Sequence, residues 1–188
     1  RACESCFSIK DHLIMINNRY KEILGIEYSL EDNKKEINRI IKKEFEELDN
    51  YFNNEINDIS IFTIQEQIIS PSDVGIHNAL MYKEKAYFID FEYAGFDSIF
   101  KLIADTLLVP SQTIDKTIIT FLMKGFSSLI DLDKSKKQLY LTAKVYRFKW
   151  MLIMLRREKK EKHKFINIFK KYIEYSSFIL DELKKYFY

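Results

Sequence analysis

Glycine, proline and cysteine are scarce in this sequence of 188 residues, which has four glycines, two prolines and two cysteines. The four glycines, at positions 25, 75, 95 and 125, lie far apart, which excludes a loop of the G-x-G-x-x-G kind with its three glycines within six positions. Cys3 and Cys6 form a C-x-x-C pair, but there is no second pair to complete a four-thiolate zinc site. We interpret the two cysteines as reduced thiols near one end of the chain.

Net charge and long apolar runs are also lacking. The 30 basic and 28 acidic side chains leave a formal charge of +2, which gives no general attraction to nucleic acid or to an anionic membrane. No apolar run reaches the roughly 18 residues of a membrane span, and the first residues do not have the layout of a signal peptide. We therefore expect a cytoplasmic protein with neither nucleic acid nor membrane as its partner.

Helical periodicity dominates the rest of the chain. With 47% hydrophobic residues, the sequence has enough apolar side chains for one sizeable core. Residues 145–155 are apolar almost all round, which indicates a buried helix. The basic run at 156–164 is most simply the solvated end of that helix. The spacing of apolar residues predicts helices over 8–24, from about 29 to 52, from Asp97 to a break at Pro110, and over 114–130, 134–162 and 165–187.

The middle of the chain has a different pattern. Residues 61–70 are short, β-branched and interrupted by polar residues, so they predict a strand that leads into Pro71. Residues 79–91 predict two short strands around a turn near Lys83 to Lys85, although that turn lacks an Asn-Gly pair. The expected fold class is α+β and mostly helical, with one small β-hairpin.

Oxygen-bearing side chains gather around this hairpin. Asn78 follows Asp73 by five positions, and Asp90 ends the apolar run Tyr87-Phe88-Ile89. A carboxylate in a loop can accept the proton of a substrate hydroxyl, and an amide oxygen with a second carboxylate can supply hard ligands for Mg²⁺. These are the protein groups that kinase-type phosphoryl transfer requires.

The motifs D-x-x-x-x-N and D-F-E, in the contexts SDVGIHNAL and YFIDFEYAGFD followed by KLIAD, resemble the aminoglycoside phosphotransferase and choline kinase families of the kinase-like fold. The resemblance covers residues 69 to about 108. It implies an enzyme that uses ATP and Mg²⁺ to phosphorylate a small molecule. By the same resemblance Asp73 is the catalytic base, Asn78 and Asp90 are metal and cofactor ligands, and Glu92 is a further metal-contacting or outer-sphere group.

The sequence departs from that family pattern in three places. The usual His two residues before the base is Pro71, the usual Gly directly before it is Ser72, and the only His of the loop is His77. The contacts that brace the loop must therefore differ. A strand with a phosphate-binding Lys is also lacking, so we expect residues 1–188 to be one C-terminal lobe, with a nucleotide-covering N-terminal lobe as its missing partner.

Three nearby residues have more than one interpretation. His77 could contact phosphate, but bracing of the loop is favoured. Asp97 could shape the site, but capping of the following helix is favoured. Asp105, two turns along that helix, could bond back to the catalytic loop. Further along the chain, Trp150 falls in the buried helix and is expected in the core.

The expected reaction is transfer of the γ-phosphate of ATP to a small-molecule hydroxyl, with an aminoglycoside, a choline-like amine or a sugar as acceptor. Asp115, Asp131 and Asp133 are the obvious acids for a cationic acceptor. One alternative is a non-catalytic kinase-like module that binds a ligand or a partner. Another is an all-helical interaction domain whose acidic loop is incidental.

Overall fold

The computed structural model describes residues 5–24, 31–54, 64–73, 75, 78–157 and 165–187. Within these ranges the chain forms six helices and four strands, in two small antiparallel sheets. In chain order the elements are α1 Ile9–Leu24, α2 Glu31–Asn54, β1 Gln67–Ser70, β2 Ala79–Tyr82, β3 Lys85–Phe88, β4 Gly95–Ser98, α3 Ile99–Leu108, α4 Lys116–Phe126, α5 Leu132–Arg157 and α6 Phe165–Phe187. The predicted α+β, mostly helical class is confirmed.

The predicted hairpin is formed by β2 and β3, with Ala79 opposite Phe88 and Tyr82 opposite Lys85. Its two turn residues, Lys83 and Glu84, have φ values of 48° and 61°. Positive φ at both central positions suits the right-handed twist of a hairpin and normally selects Asn-Gly. The turn therefore has the expected backbone although it lacks the expected residues.

The strand β4 was not predicted. It pairs with β1 in a second antiparallel sheet, with Gln67 opposite Ser98 and Ser70 opposite Gly95. Its sequence, GFDS, is too short and too polar to show a two-residue period. The predicted strand over 61–70 is reduced to β1 among the described residues, and positions 61–63 lie outside them.

The core is organised around α5, which packs against α1, α2, α3 and α6. The prediction of a helix buried on most sides is confirmed, because Val145, Tyr146, Met151 and Leu152 are all at most 1% exposed. Each large apolar side chain that is buried in this way contributes about 1.5–3 kcal/mol. None of the helices in the described ranges combines the length and the apolar character that crossing a bilayer requires.

Arg147 joins three helices beneath the surface. Its guanidinium forms a two-pronged pair with Glu44 of α2, and it also donates to Ser176 at 3.0 Å and to Ser177 at 3.2 Å on α6. A planar fork of donors suits this arrangement, since one carboxylate can accept from two of its nitrogens. The pair fixes α2 and α6 against α5.

A buried polar network lies just before β1. The side chain of Gln65 accepts from His12 Nε2 at 3.1 Å and from the Ser98 hydroxyl, and its Nε2 donates to the Thr142 hydroxyl at 2.9 Å. Because Gln65 Oε1 can only accept, the proton of His12 must be on Nε2. Gln65 thus ties α1 and α5 to the start of α3, at the point where the chain enters the β region.

His12 makes the fold sensitive to acid. Its side chain is fully buried, and this burial lowers its pKa from 6.5 to about 4, against the opposing effect of the Gln65 hydrogen bond. Between these two values the unfolded chain binds a proton that the folded chain does not, so stability is lost as the pH falls. We expect the wild type to lose about 2 kcal/mol of unfolding free energy from this group between pH 7 and pH 5.

Urea unfolding of wild type and His12→Gln at both pH values measures the effect. The variant is less stable at pH 7, because the substitution disturbs a buried network, but its stability changes less with pH. Equal pH dependence of the two proteins contradicts the assignment to His12.

Candidate functional site

The loop between β1 and β2 contains the predicted base and the first predicted metal ligand. The side chain of Asn78 is 7% exposed, and its Nδ2 donates to the backbone oxygen of Asp73 at 3.2 Å. The backbone of Gly75 donates to Asp73 Oδ1 at 3.3 Å and accepts from the N–H of Asn78 at 2.9 Å. Three hydrogen bonds therefore join Asp73, Gly75 and Asn78 to one another.

Asp90 follows β3, and the hairpin brings its chain segment next to that of Asn78. The N–H of Ile89 donates to the backbone oxygen of Asn78 at 2.9 Å, which extends the pairing of β2 with β3 by one position. Asp90 itself has a φ of 63°. Asp tolerates this left-handed conformation better than most residues, and such conformations are concentrated at functional sites. The next residues, 91–94, form a tight turn.

Three carboxylates near the buried amide of Asn78 are exposed to solvent. Asp73, Asp90 and Glu92 are exposed. Within the part of the chain that the structure describes, the side chains of Asp90 and Glu92 make no hydrogen bond or ion pair. The described residues also contain no group of three or more His, Cys, Asp or Glu side chains placed to hold a metal.

Ser72, directly before the predicted base, also has a left-handed backbone, at a φ of 69°. This conformation costs an L-residue roughly 1–2 kcal/mol, and glycine avoids most of that cost. The N–H of Ser72 donates to the Ser70 hydroxyl at 3.0 Å, and its own hydroxyl accepts from Lys101 Nζ at 3.4 Å. Ser72 is therefore hydrogen-bonded both to β1 and to α3.

Asp97 is not the cap of α3, and the favoured interpretation of this residue was wrong. The cap is Ser98, whose hydroxyl accepts from the N–H groups of Phe100 and Lys101. Asp97 is fully buried in β4, where its carboxylate pairs with Lys101 and accepts from the N–H of Cys6 at 3.2 Å. Serine is a favourable cap residue, so Ser98 can cap the helix while the carboxylate of Asp97 compensates the buried charge of Lys101.

Asp105 does not bond back to the loop that contains Asp73, as had been considered from the sequence. Its Oδ1 accepts from Trp150 Nε1 at 3.1 Å and from Lys149 Nζ at 3.4 Å, both on α5. Burial raises the pKa of Asp105, while Lys149 and Lys101 oppose the rise. Trp150 packs against the core, as predicted, but only partly buried. It also helps to fix α3 against α5.

The remaining candidates are placed away from the loop or outside the described residues. Asp115 caps α4 by accepting from the N–H of Ile118 at 2.9 Å. Asp131 pairs with Lys134 at 2.9 Å, and Asp133 lies in the first turn of α5. These acids are occupied at helix starts rather than gathered for a cationic acceptor. The prediction for His77 falls on a residue outside the described ranges.

Cys6 is a buried free thiol. Burial and then the charge of Asp97 raise the pKa of this thiol to about 12. It therefore stays protonated at neutral pH, which suits the interpretation of a reduced structural thiol better than that of a metal ligand or redox nucleophile. Cys3 lies outside the described residues.

A cavity of about 540 Å³ lies beside α1, lined by Cys6, Asp11, Arg19 and Glu22 among others. None of the predicted site residues lines it. Asp11 is already engaged there, since it accepts from the N–H of Ser8 at 2.9 Å. One of its lining residues, Cys6, donates its backbone N–H to Asp97 of β4.

Comparison of the chain with protein-family models, with curated proteins and with solved structures found no match.

Sequence reasoning missed Gln65 and Lys101 as residues that support the loop. A signal for Lys101 is present, because it interrupts the apolar face of a helix in which Ile99, Phe100 and Ile103 are buried. A lone lysine in such a helix normally indicates a buried partner. Gln65 has no comparable signal, since glutamine is common in surface strands and loops.

Asn78→Ala removes the donor that closes the loop over Asp73. Because the lost hydrogen bond is almost buried, we expect a loss of about 1–2 kcal/mol of unfolding free energy and faster amide exchange at residues 73–78. Urea unfolding and hydrogen–deuterium exchange measure the two effects. Asn53→Ala is the matched control, because it removes an exposed hydrogen bond to Asp49 of 3.0 Å. Equal losses in the two variants would show that Asn78 does not organise the loop.

Proposed function

We propose that this chain is the catalytic lobe of an ATP- and Mg²⁺-dependent phosphotransferase that acts on a hydroxyl of a small molecule. The proposal combines the resemblance of the loop motifs to the aminoglycoside phosphotransferase and choline kinase families with the arrangement of Asp73, Asn78 and Asp90. A cytoplasmic location, where ATP is abundant, belongs to the same proposal.

The observation that supports it best is the double role of Asn78. Its side chain holds the backbone of Asp73, and its backbone holds Ile89, which directly precedes Asp90. Nδ2 is used as a donor inside the loop, and among the described residues no donor bonds to Oδ1. An amide oxygen and a carboxylate on neighbouring chain segments are hard ligands of the kind that Mg²⁺ prefers.

Each residue then has a chemical role. Asp73 accepts a hydrogen bond from the attacking hydroxyl, orients it and takes its proton. Asn78 Oδ1 and the Asp90 carboxylate would hold Mg²⁺, and Glu92 lies two positions further on as an additional acidic group. Bound Mg²⁺ supplies neutralisation of the charge on the transferred phosphate. The hydrogen bonds that join Asp73, Gly75 and Asn78 hold Asp73 and Asn78 before substrate binds, which reduces the cost of reorganisation.

Apolar side chains around these groups support a nucleotide site and a covering lobe. On the hairpin Leu80 is 57% exposed, Met81 70% and Tyr87 50%. Leu80 and Tyr87 are paired across the strands and so share one face, next to Asn78. Contiguous exposed apolar side chains of this kind indicate a surface that is covered in the functional state. We propose that the adenine ring and a further lobe cover it.

The exposed hairpin also favours the alternative, a kinase-like module that binds a ligand or partner without transferring phosphate. Such a module needs the apolar surface but not a base. The two proposals differ at Asp73, whose carboxylate matters for transfer and not for binding.

Asp73→Asn separates these functions. We expect wild-type protein with Mg²⁺ and ATP to phosphorylate at least one acceptor from a panel of aminoglycosides, choline-like amines and sugars. The asparagine variant should lose about 10²–10⁴-fold in kcat, because it cannot accept the proton, and should retain Mg²⁺-dependent ATP binding. Phosphate transfer from radiolabelled ATP and calorimetric titration of the nucleotide measure the two properties.

Asp181→Asn is the matched control, since this acid is exposed on α6, far along the chain from the loop. It should leave both transfer and binding unchanged. Nucleotide binding without transfer in the wild type supports the module instead. The absence of Mg²⁺-dependent nucleotide binding contradicts the phosphotransferase. The assays should include any longer natural protein that contains this chain, so that a covering lobe is present.

A further inference from the structure

Lys101 is a buried cation directly beneath the loop. Its side chain is 3% exposed. Burial removes water from the charged amine, which is costly unless other groups pair with the charge. Lys101 Nζ pairs with Asp97 and donates to the Ser72 hydroxyl at 3.4 Å. Burial alone would lower the pKa of Lys101, but Asp105 and Asp97 outweigh burial and raise it. The amine therefore remains protonated through the physiological range.

Ser72, which accepts a hydrogen bond from Lys101, has a strained backbone. Ser72 has a φ of 69° and directly precedes Asp73. If Ser72 relaxed to a negative φ, the direction of the chain at Asp73 would change. One bond, from its N–H to Ser70, lies within the same segment, whereas the bond from Lys101 is the one that comes from a helix. Lys101 therefore connects the loop to the rigid core.

Lys101 belongs to a row of buried side chains of alternating charge that extends into the core. Asp97 of β4, Lys101 and Asp105 of α3, and Lys149 of α5 follow one another, and Lys149 Nζ lies 3.4 Å from Asp105 Oδ1. The two acids balance the two lysines, so the buried group is neutral as a whole. Buried charges that are compensated in this way hold a defined geometry.

We propose that Lys101 is a positioning residue, which holds Ser72 in its left-handed conformation and thereby aims the carboxylate of Asp73. This inference rests on the proposed function for its catalytic consequence. It explains how a serine can occupy a backbone conformation that suits glycine. It also identifies the contact that braces the loop in place of the histidine that Pro71 replaces.

Substitutions at Ser72 test the brace without removing a charge. Ser72→Ala loses the hydroxyl and keeps the strained Cβ, whereas Ser72→Gly loses the hydroxyl and the strain together. We expect the alanine variant to show faster amide exchange at residues 72 and 73 and a kcat that is roughly 10- to 100-fold lower, with KM for ATP changed less than about threefold. The glycine variant should stay within about threefold of wild type.

Substitution of the cation tests the same brace from the other side. Lys101→Met leaves Asp97 buried without its partner, so Asp97→Asn/Lys101→Met is the variant of choice because both charges are removed. We expect it to reproduce the loss of kcat and the faster exchange, and Ser72→Gly added to it should restore most of both. Lys124→Met, at an exposed position of α4, is the control and should change neither.

A merely structural Lys101 gives a different pattern. The charge-free variant then melts at a lower temperature, its kcat per folded molecule equals that of wild type, and Ser72→Gly rescues nothing. That pattern, or equal exchange rates in Ser72→Ala and wild type, overturns the inference. If no acceptor is phosphorylated but exchange follows the expected order, the brace is supported and the proposed activity is overturned.

Discussion

The ion pair between Asp97 and Lys101 is the interaction on which the loop region depends. Both side chains are buried, at 0% and 3% exposure, so neither charge is tolerable without the other. The acid fixes the start of the chain through Cys6, and the lysine reaches the loop through Ser72. One pair thus connects the N-terminal segment, the second sheet and the loop that presents Asp73.

Two sheets of two strands each are marginal by themselves, because an isolated hairpin has little independent stability in water. The pairing of β1 with β4 is secured where Gln65 and Ser98 meet His12 and Thr142 in the core. The hairpin of β2 and β3 has no such anchor among the described residues beyond Asn78, and its side chains are exposed. The candidate site therefore lies between the sheet of β1 and β4, which is anchored in the core, and the exposed apolar hairpin of β2 and β3.

Much of the fold was predictable from the sequence, because it follows from local patterns. The six helices follow the apolar period, and the hairpin was found although Lys83 and Glu84 replace the usual turn residues. What could not be predicted depends on partners that are distant in sequence. Asp97 looked like a cap because it precedes a helix, but Ser98 is one residue closer and Lys101 needs the acid. The strand β4 exists only because β1 pairs with it, and its own four residues carry no pattern.

The candidate site was predicted from its motifs, and the structure explains how the chain arranges them. Asn78 joins the segments of Asp73 and Asp90, and Ser72 and Asp90 both adopt the left-handed backbone. Residues in such conformations beside exposed acids are typical of sites that bind a ligand. The family, the acceptor and the covering lobe stay proposals that rest on the resemblance of the motifs.

The central claim is that Asp73, Asn78 and Asp90 surround one divalent cation together with ATP. Replacing Mg²⁺ by paramagnetic Mn²⁺ in an NMR titration with ATP tests it directly, since Mn²⁺ broadens the resonances of nearby nuclei. We predict that the amide signals of these three residues broaden together, and that Asp90→Asn weakens the effect at all three. Broadening that is centred on another part of the chain, or no broadening at these three residues, would contradict the claim.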